Sequence, residues 1–178
     1  MHKPLTKKQI RDLNKYNIKN YDYTSNLTVL VLQDVEDPYN VGSIFRSANA
    51  FGVKKIYLTG KTPTPPNKYI SHNSMGFEKS KEWEYVDNFE NAIYELKSES
   101  FEIIGIELTK NSTDIFDLNF ANKSALILGN ETIGIYKKNL ALLDKIVHIP
   151  MVGKAPSINV ATAGAIALSF RLYKMKVE

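Results

Sequence analysis

The sequence predicts an α/β fold with a mostly parallel sheet flanked by helices, in a single domain of 178 residues. Three observations carry that prediction. Short apolar, β-branched runs recur along the chain, stretches of helical character separate them, and polar or glycine-containing segments follow the runs. A strand, a helix and a second strand within about thirty residues form a βαβ unit, which implies parallel strands and a right-handed crossover.

Residues 1–26 read as a basic helical extension. Lys3, Lys7, Lys8, Arg11, Lys15 and Lys19 face a single acid, Asp12, within the first twenty residues. Thr6 and Gln9 fit a capping box, with Leu5 and Ile10 as a hydrophobic staple, so a helix starts at Thr6. Lys8, Arg11, Lys15 and Lys19 follow at three- and four-residue spacing and share one face. That face suits contact with phosphates, and a solvated surface helix has the same pattern.

Residues 28–33 (TVLVLQ) form a buried strand, ended by the polar turn 34–40 (DVEDPYN). Residues 41–51 form a helix with Asn40 at its cap and Gly52 at its stop. Residues 55–58 are the next strand, and 62–67 (TPTPPN) a stiff loop. Residues 82–86, 88–97 and 101–108 repeat strand, helix, strand; 124–128 adds a strand ending in Gly129, Asn130 and Glu131.

The C-terminal run 147–174 (VHIPMVGKAPSINVATAGAIALSFRLYK) is the most informative stretch. An apolar strand over 146–149 stops at Pro150, which has no N–H to give a ladder. A Gly- and Pro-containing loop follows, and Ser157 or Asn159 caps the last helix. Ala161, Ala163, Gly164, Ala165 and Ala167 leave that helix open to close approach. A loop leading into a helix N-terminus offers N–H donors to a polar small molecule or an anion. A terminal helix packed on its own sheet explains the alanines equally well. In parallel sheets ligands sit beyond the carboxyl ends of the strands, so the segments after Gln33, Leu108, Leu128 and Ile149 are expected to converge on one site.

Composition narrows the function classes. A charged fraction of 24% and a hydrophobic fraction of 43% exclude disordered and collagen-like chains. A net charge of +4 leans slightly toward a polyanionic partner. Zero cysteines exclude a disulfide framework and cysteine metal sites and agree with a cytoplasmic protein. No apolar run reaches the length of a membrane span, and no signal-peptide core is present. The three histidines, His2, His72 and His148, form no ligand pattern, so no metal is expected. Dinucleotide, P-loop and nucleophile-elbow motifs are missing.

Three separated blocks remain: Asn40-x-Gly42-x-x-x-Arg46; Leu128-Gly129-Asn130-Glu131 followed by Gly134; and Ile149-Pro150-Met151 with Gly153 and Ser157-Ile158-Asn159-Val160. In this order and spacing they resemble the three motifs of the SpoU (or TrmH) family of RNA ribose 2′-O-methyltransferases, in the SPOUT superfamily. The resemblance runs from about Leu27 onward. It implies a deep C-terminal trefoil knot, a homodimer, S-adenosylmethionine as methyl donor, and tRNA or rRNA as substrate.

Residue roles follow from the resemblance. Arg46 is the principal catalytic residue; because a guanidinium stays protonated in proteins, it is expected to hold an RNA phosphate and stabilise charge developing on the 2′-oxygen. Asn40, Glu131, Ser157 and Asn159 complete the polar set, with Glu131 orienting Arg46 or Asn40. The spacing of Asn40 and Arg46 is read as placing them on nearby helix faces. Leu128, Gly129, Ile149, Met151, Ser157 and Ile158 match the cofactor-holding positions, and Leu108 and Thr109 are further candidates at another strand end. Lys8, Arg11, Lys15 and Arg46 are expected to meet RNA. Thr132, Ile158 and Ala161 depart from the family's usual glycine, leucine and serine. Two other readings stay open: an RNA-binding or assembly protein that has lost catalysis, and a SPOUT enzyme that methylates a base.

Overall fold

A computed structural model describes residues 3–19, 21 and 27–175 of the chain. The expected end of the basic extension, at residue 26, lies outside the described residues. Seven strands form one sheet in the order β3-β2-β1-β6-β4-β7-β5, and every pairing is parallel. They are β1 (Leu27–Gln33), β2 (Lys55–Thr59), β3 (Glu82–Val86), β4 (Glu102–Ile106), β5 (Thr113–Asp114), β6 (Lys123–Leu128) and β7 (Lys145–His148). β1 lies between β2 and β6 and is apolar on both faces, as a central parallel strand must be. Leu30 and Leu32 belong to one core with α2 (Pro38–Ala50) and α5 (Val160–Lys174). Val29 and Val31 belong to a second, with α4 (Phe89–Ser98).

The α2 start differs from the expectation. Asp37, not Asn40, is the cap: its Oδ1 accepts from Tyr39 N at 2.8 Å, and Pro38 occupies the first turn, where a missing N–H costs nothing. The helix therefore begins three residues earlier, and Asn40 becomes a buried residue of its first turn. Gly52, at φ 71°, follows the helix end as expected.

A short helix, α3 (Lys68–Ser74), follows the proline loop and was not anticipated. Asn67 caps it, accepting from Tyr69 N at 2.9 Å and Ile70 N at 3.4 Å. α3 lies close against α2 because Gly42 has no side chain. A Cβ there would stand 2.6 Å from Ile70 O and 2.8 Å from Asn73 Cβ. β5 is a two-residue strand without a sequence signal, and β4 stops at Ile106, short of the expected Leu108.

α5 is held at both ends. Asn159 caps it, accepting from Ala161 N at 2.9 Å and Thr162 N at 3.2 Å. Near the other end, buried Arg171 donates Nη2 to Ala121 O at 2.8 Å and Asn122 O at 3.0 Å, and its guanidinium lies 5.0 Å from the Phe120 ring. Burial pulls the Arg171 pKa down to about 10, against the opposing pull of Glu102, so it remains protonated at neutral pH. Gly164 meets β6; a Cβ there would be 2.8 Å from Leu128 Cδ1.

At the N-terminal end, α1 (Lys7–Lys19) starts after the expected capping box: Thr6 N donates to Gln9 Oε1 at 2.9 Å, and Gln9 N to Thr6 Oγ1 at 3.3 Å. Leu5 and Ile10 are both exposed. So are Lys8, Arg11 and Lys15.

Replacing Gly42 by alanine forces α3 away from α2. We expect Gly42→Ala to cost about 1–3 kcal/mol of stability, read as a lower midpoint in chemical denaturation.

Candidate active site at the strand ends

The turn after β6 is the structural centre of the site. Gly129 lies so close to Gly134 and Ile135 N that no Cβ fits, and Gly134, at φ 66°, allows the chain to double back. The turn closes through Asn130 N to Gly134 O at 3.1 Å and Gly134 N to Asn130 O at 2.9 Å. Asn130 Oδ1 accepts from Thr132 N and Ile133 N, while its Nδ2 donates to Asp34 O at 2.8 Å, tying the turn to the end of β1.

Glu131, at the tip, carries the main polar connection. Its Oε1 accepts from Asn40 Nδ2 at 2.9 Å and from Asp37 N at 3.1 Å; Oε2 accepts from Glu36 N at 3.1 Å. Asn40 Oδ1 in turn accepts from Asn159 Nδ2 at 2.8 Å. Burial alone would push the Glu131 carboxyl up. The Asn40 amide and the surrounding backbone N–H groups outweigh it and hold the carboxyl below its usual range.

Two adjoining cavities, of about 470 and 140 Å³, open beside this network. The larger is lined by Leu128, Gly129 and Glu131 from the turn and by Ser157, Ile158 and Asn159 from the loop before α5. Leu108, Ile149 and Met151 line the smaller, which shares Ser157 and Ile158 with its neighbour. Segments following β4, β6 and β7 thus converge as expected, and the segment after β1 joins through its bonds to Glu131 and Asn130. Thr109 lines neither cavity; its hydroxyl is buried without a partner.

Arg46 is not part of this cluster. Six residues separate it from Asn40, which puts the two roughly 120° apart around a helix axis. Asn40 points to Glu131, whereas Arg46 is exposed on α2 and has no hydrogen-bond or ion-pair partner among the described residues. Glu131 orients Asn40 and makes no bond to Arg46.

The α5 N-terminus also differs from the expectation. Asn159 takes the N–H groups of Ala161 and Thr162, so those donors are not available to an anion.

Sequence reasoning missed Glu107, which lines both cavities. Its Oε2 accepts from Ile135 N at 2.8 Å and its Oε1 from Leu108 N at 3.0 Å. The signal was a carboxylate one residue before a segment already singled out. His148, read as a sheet residue, ends β7, lies 3.1 Å from Ser112 Oγ through Nδ1 and lines the smaller cavity. Among the described residues no group of three or more metal-ligating side chains could hold a metal ion. No described helix is long and apolar enough to cross a membrane.

A parallel α/β sheet with a glycine-closed turn, a polar network and a cavity beyond its strand ends is the arrangement in which α/β proteins hold small-molecule ligands. Comparison with known proteins narrows the class: the chain belongs to the SpoU rRNA Methylase family, whose model matches residues 27–169. It is similar to the 23S rRNA (guanosine-2'-O-)-methyltransferase RlmB of Neisseria meningitidis serogroup B, at 28% identity over 89% of this chain and 64% of that one. It is also similar to the tRNA (guanosine(18)-2'-O)-methyltransferase of Escherichia coli K12, at 29% identity over 77% and 59% of the two chains. Among solved structures, an AdoMet-bound rRNA methyltransferase from Sinorhizobium meliloti superposes with a TM-score of 0.80 at 26% identity, over 86% of this chain and 59% of that one. The chain spans about three fifths of the length of these relatives.

The Glu131 linkage has a testable sign. A carboxyl held below its usual range stabilises the fold fully above the ordinary carboxylate pKa, about 4.3, and loses that contribution as pH falls through the lower native value. We expect Glu131→Gln to lower the melting temperature at neutral pH and to narrow its gap to the parent protein as the buffer is acidified, measured by thermal melts across an acid pH series.

Proposed function

We propose that this chain transfers the methyl group of S-adenosylmethionine to a ribose 2′-hydroxyl of tRNA or rRNA. The observation that carries the reading is the pair of cavities walled by the Gly129–Gly134 turn and residues 157–160, knit together through Glu131, Asn40 and Asn159. Membership of the SpoU family and the activities named for its relatives support it.

The cavity residues fit the cofactor. Its volume lies in the range of small-molecule sites, about 300–1,000 Å³. Leu128, Ile149, Met151 and Ile158 offer apolar walls for an adenine, and Gly129 lets a ligand approach the backbone. Ser157 and Glu107 supply polar atoms to the same space; the Glu107 oxygens, each accepting one backbone N–H, keep lone pairs for hydroxyl donors. Bound there, the cofactor supplies an electrophilic sulfonium methyl.

The chain's own residues do the rest. Asn40, fixed at both ends of its amide, holds the loop before α5 against the turn after β6. Arg46 presents a permanent cation, unpartnered among the described residues, that holds an RNA phosphate and stabilises negative charge on the attacking oxygen. Lys8, Arg11 and Lys15 on exposed α1 add phosphate contacts, with residues 1–26 acting as a basic extension of one methyltransferase domain.

Two further features belong to this reading. The outer face of α5, with Phe116, Ile166, Phe170 and Tyr173 around an open space of about 420 Å³, supports a homodimer. β7 is inserted between β4 and β5 before the chain returns to α5, an order consistent with the family's trefoil knot. Such an enzyme would work in the cytoplasm, in keeping with the lack of cysteine.

Calorimetry with S-adenosylmethionine and nucleoside mass spectrometry of RNA from a deletion strain test the proposal; no heat of binding and no missing 2′-O-methyl nucleotide would refute it. Arg46→Ala should reduce turnover by about a hundredfold with cofactor affinity unchanged. Changing Lys8 and Arg11 together to alanine should weaken RNA binding and flatten its dependence on log salt, by about 0.7–0.9 for each phosphate that is no longer neutralised.

A further inference from the structure

Outside the cavity linings, α2 and α3 expose a pair of tyrosine rings that the methyl-transfer reading leaves unused. Tyr39 and Tyr69 have ring centroids 5.0 Å apart with planes tilted by 44°. They remain 44% and 39% exposed, so each ring keeps free surface. The contact between the two helices does not require the rings: Ile70 fills it, fully buried, and Gly42 sets its distance.

The backbones beneath the rings are firmly placed. Asp37 Oδ1 accepts from Tyr39 N, Asn67 Oδ1 accepts from Tyr69 N, and Asn73 Nδ2 bridges Tyr39 O at 3.0 Å and Ser43 Oγ at 3.3 Å. Two exposed aromatic side chains are thus presented from a rigid base, at little cost in ordering on contact.

Cations accompany them. Lys68 Nζ sits 4.8 Å from the Tyr69 ring centroid. Arg46 follows Tyr39 by seven residues, about 20° around and about 10 Å along the helix, so it shares the face. Of the carboxylates nearby, Asp37 caps α2, Glu131 accepts three donors and Glu36 faces Lys61 at 3.7 Å. Tyr39 precedes Asn40 by one residue, about 100° around the helix, so this face is turned away from the Asn40–Glu131 bond.

We propose that Tyr39 and Tyr69 form a stacking platform for an unpaired base of the RNA strand, with Lys68 and Arg46 meeting the phosphates on either side. Unstacked bases are held on aromatic rings, flanked by basic side chains, wherever single-stranded RNA is gripped. Neither tyrosine lines either cavity, so the platform serves a base of the strand held outside the pocket. This deepens the RNA methyltransferase reading and rests on it for the choice of RNA as ligand.

The test uses the full chain and a short single-stranded oligoribonucleotide carrying one 2-aminopurine, whose fluorescence falls when it stacks. The parent protein and a Tyr39→Phe, Tyr69→Phe variant should bind and quench it. A Tyr39→Leu, Tyr69→Leu variant should bind roughly tenfold or more weakly and lose the quenching, with its salt slope, melting temperature and S-adenosylmethionine affinity unchanged. The platform is overturned if the leucine variant quenches like the parent, if the parent does not quench, if the phenylalanine variant behaves like the leucine one, or if weakened binding follows a lowered melting transition. Failure of the parent protein to bind S-adenosylmethionine would instead strike the methyl-transfer reading and leave the quenching result standing.

Discussion

The carboxylate of Glu131 is the constraint on which the rest of the site depends. One side chain, at the tip of a five-residue turn, collects donors from Glu36, Asp37 and Asn40. It thereby fixes the entry to α2, and through Asn40 it reaches the cap of α5. Residues from three distant parts of the chain meet through these few bonds. The bonds of Glu131 and Asn40 join α2, the turn and the loop before α5 directly. Asn40 is the buried member, and leaving its amide unpaired costs more than one bond is worth, which gives the network its firmness.

Much of the sheet was legible in the sequence. β1, β2 and β6 are covered on both faces, and that burial demands the unbroken apolar runs that mark them. The misses have physical causes. Asp37 and Pro38 start α2 more strongly than Asn40 could, yet the later asparagine stands out because it belongs to a motif. α3 has only seven residues and takes its place from a glycine on another helix, which no local pattern records. β5 has two residues, too few for any periodicity.

The site was legible in part, for similar reasons. Gly129 and Gly134 announce a turn that only glycine permits, and the cavity-lining residues 157–159 stand in a loop whose composition is unusual. Glu107 escaped notice because one of its two donors, Ile135 N, is remote in sequence. Arg46 and Asn40 share a motif but not a direction, a distinction that helical geometry makes only once the true start of α2 is known. The small residues of α5 were ambiguous between internal packing and an external surface. The structure shows the internal use: Ala161, Gly164 and Ala167 are buried, while Ala165 borders an open apolar space on the outer side.

The two anchors of α5 bear on how a ligand reaches the cavities. Asn159 ties one end of the helix to α2, and buried Arg171 binds the other to carbonyls ahead of β6, so sliding or rolling the helix would strip a buried charge of its hydrogen bonds. Val160 and Ala163 consequently stand as a fixed wall. Passage in and out falls to residues 151–158, every one of them exposed. Pro156, its φ fixed by the ring, is the stiffest point of that exposed strap and itself lines the smaller cavity.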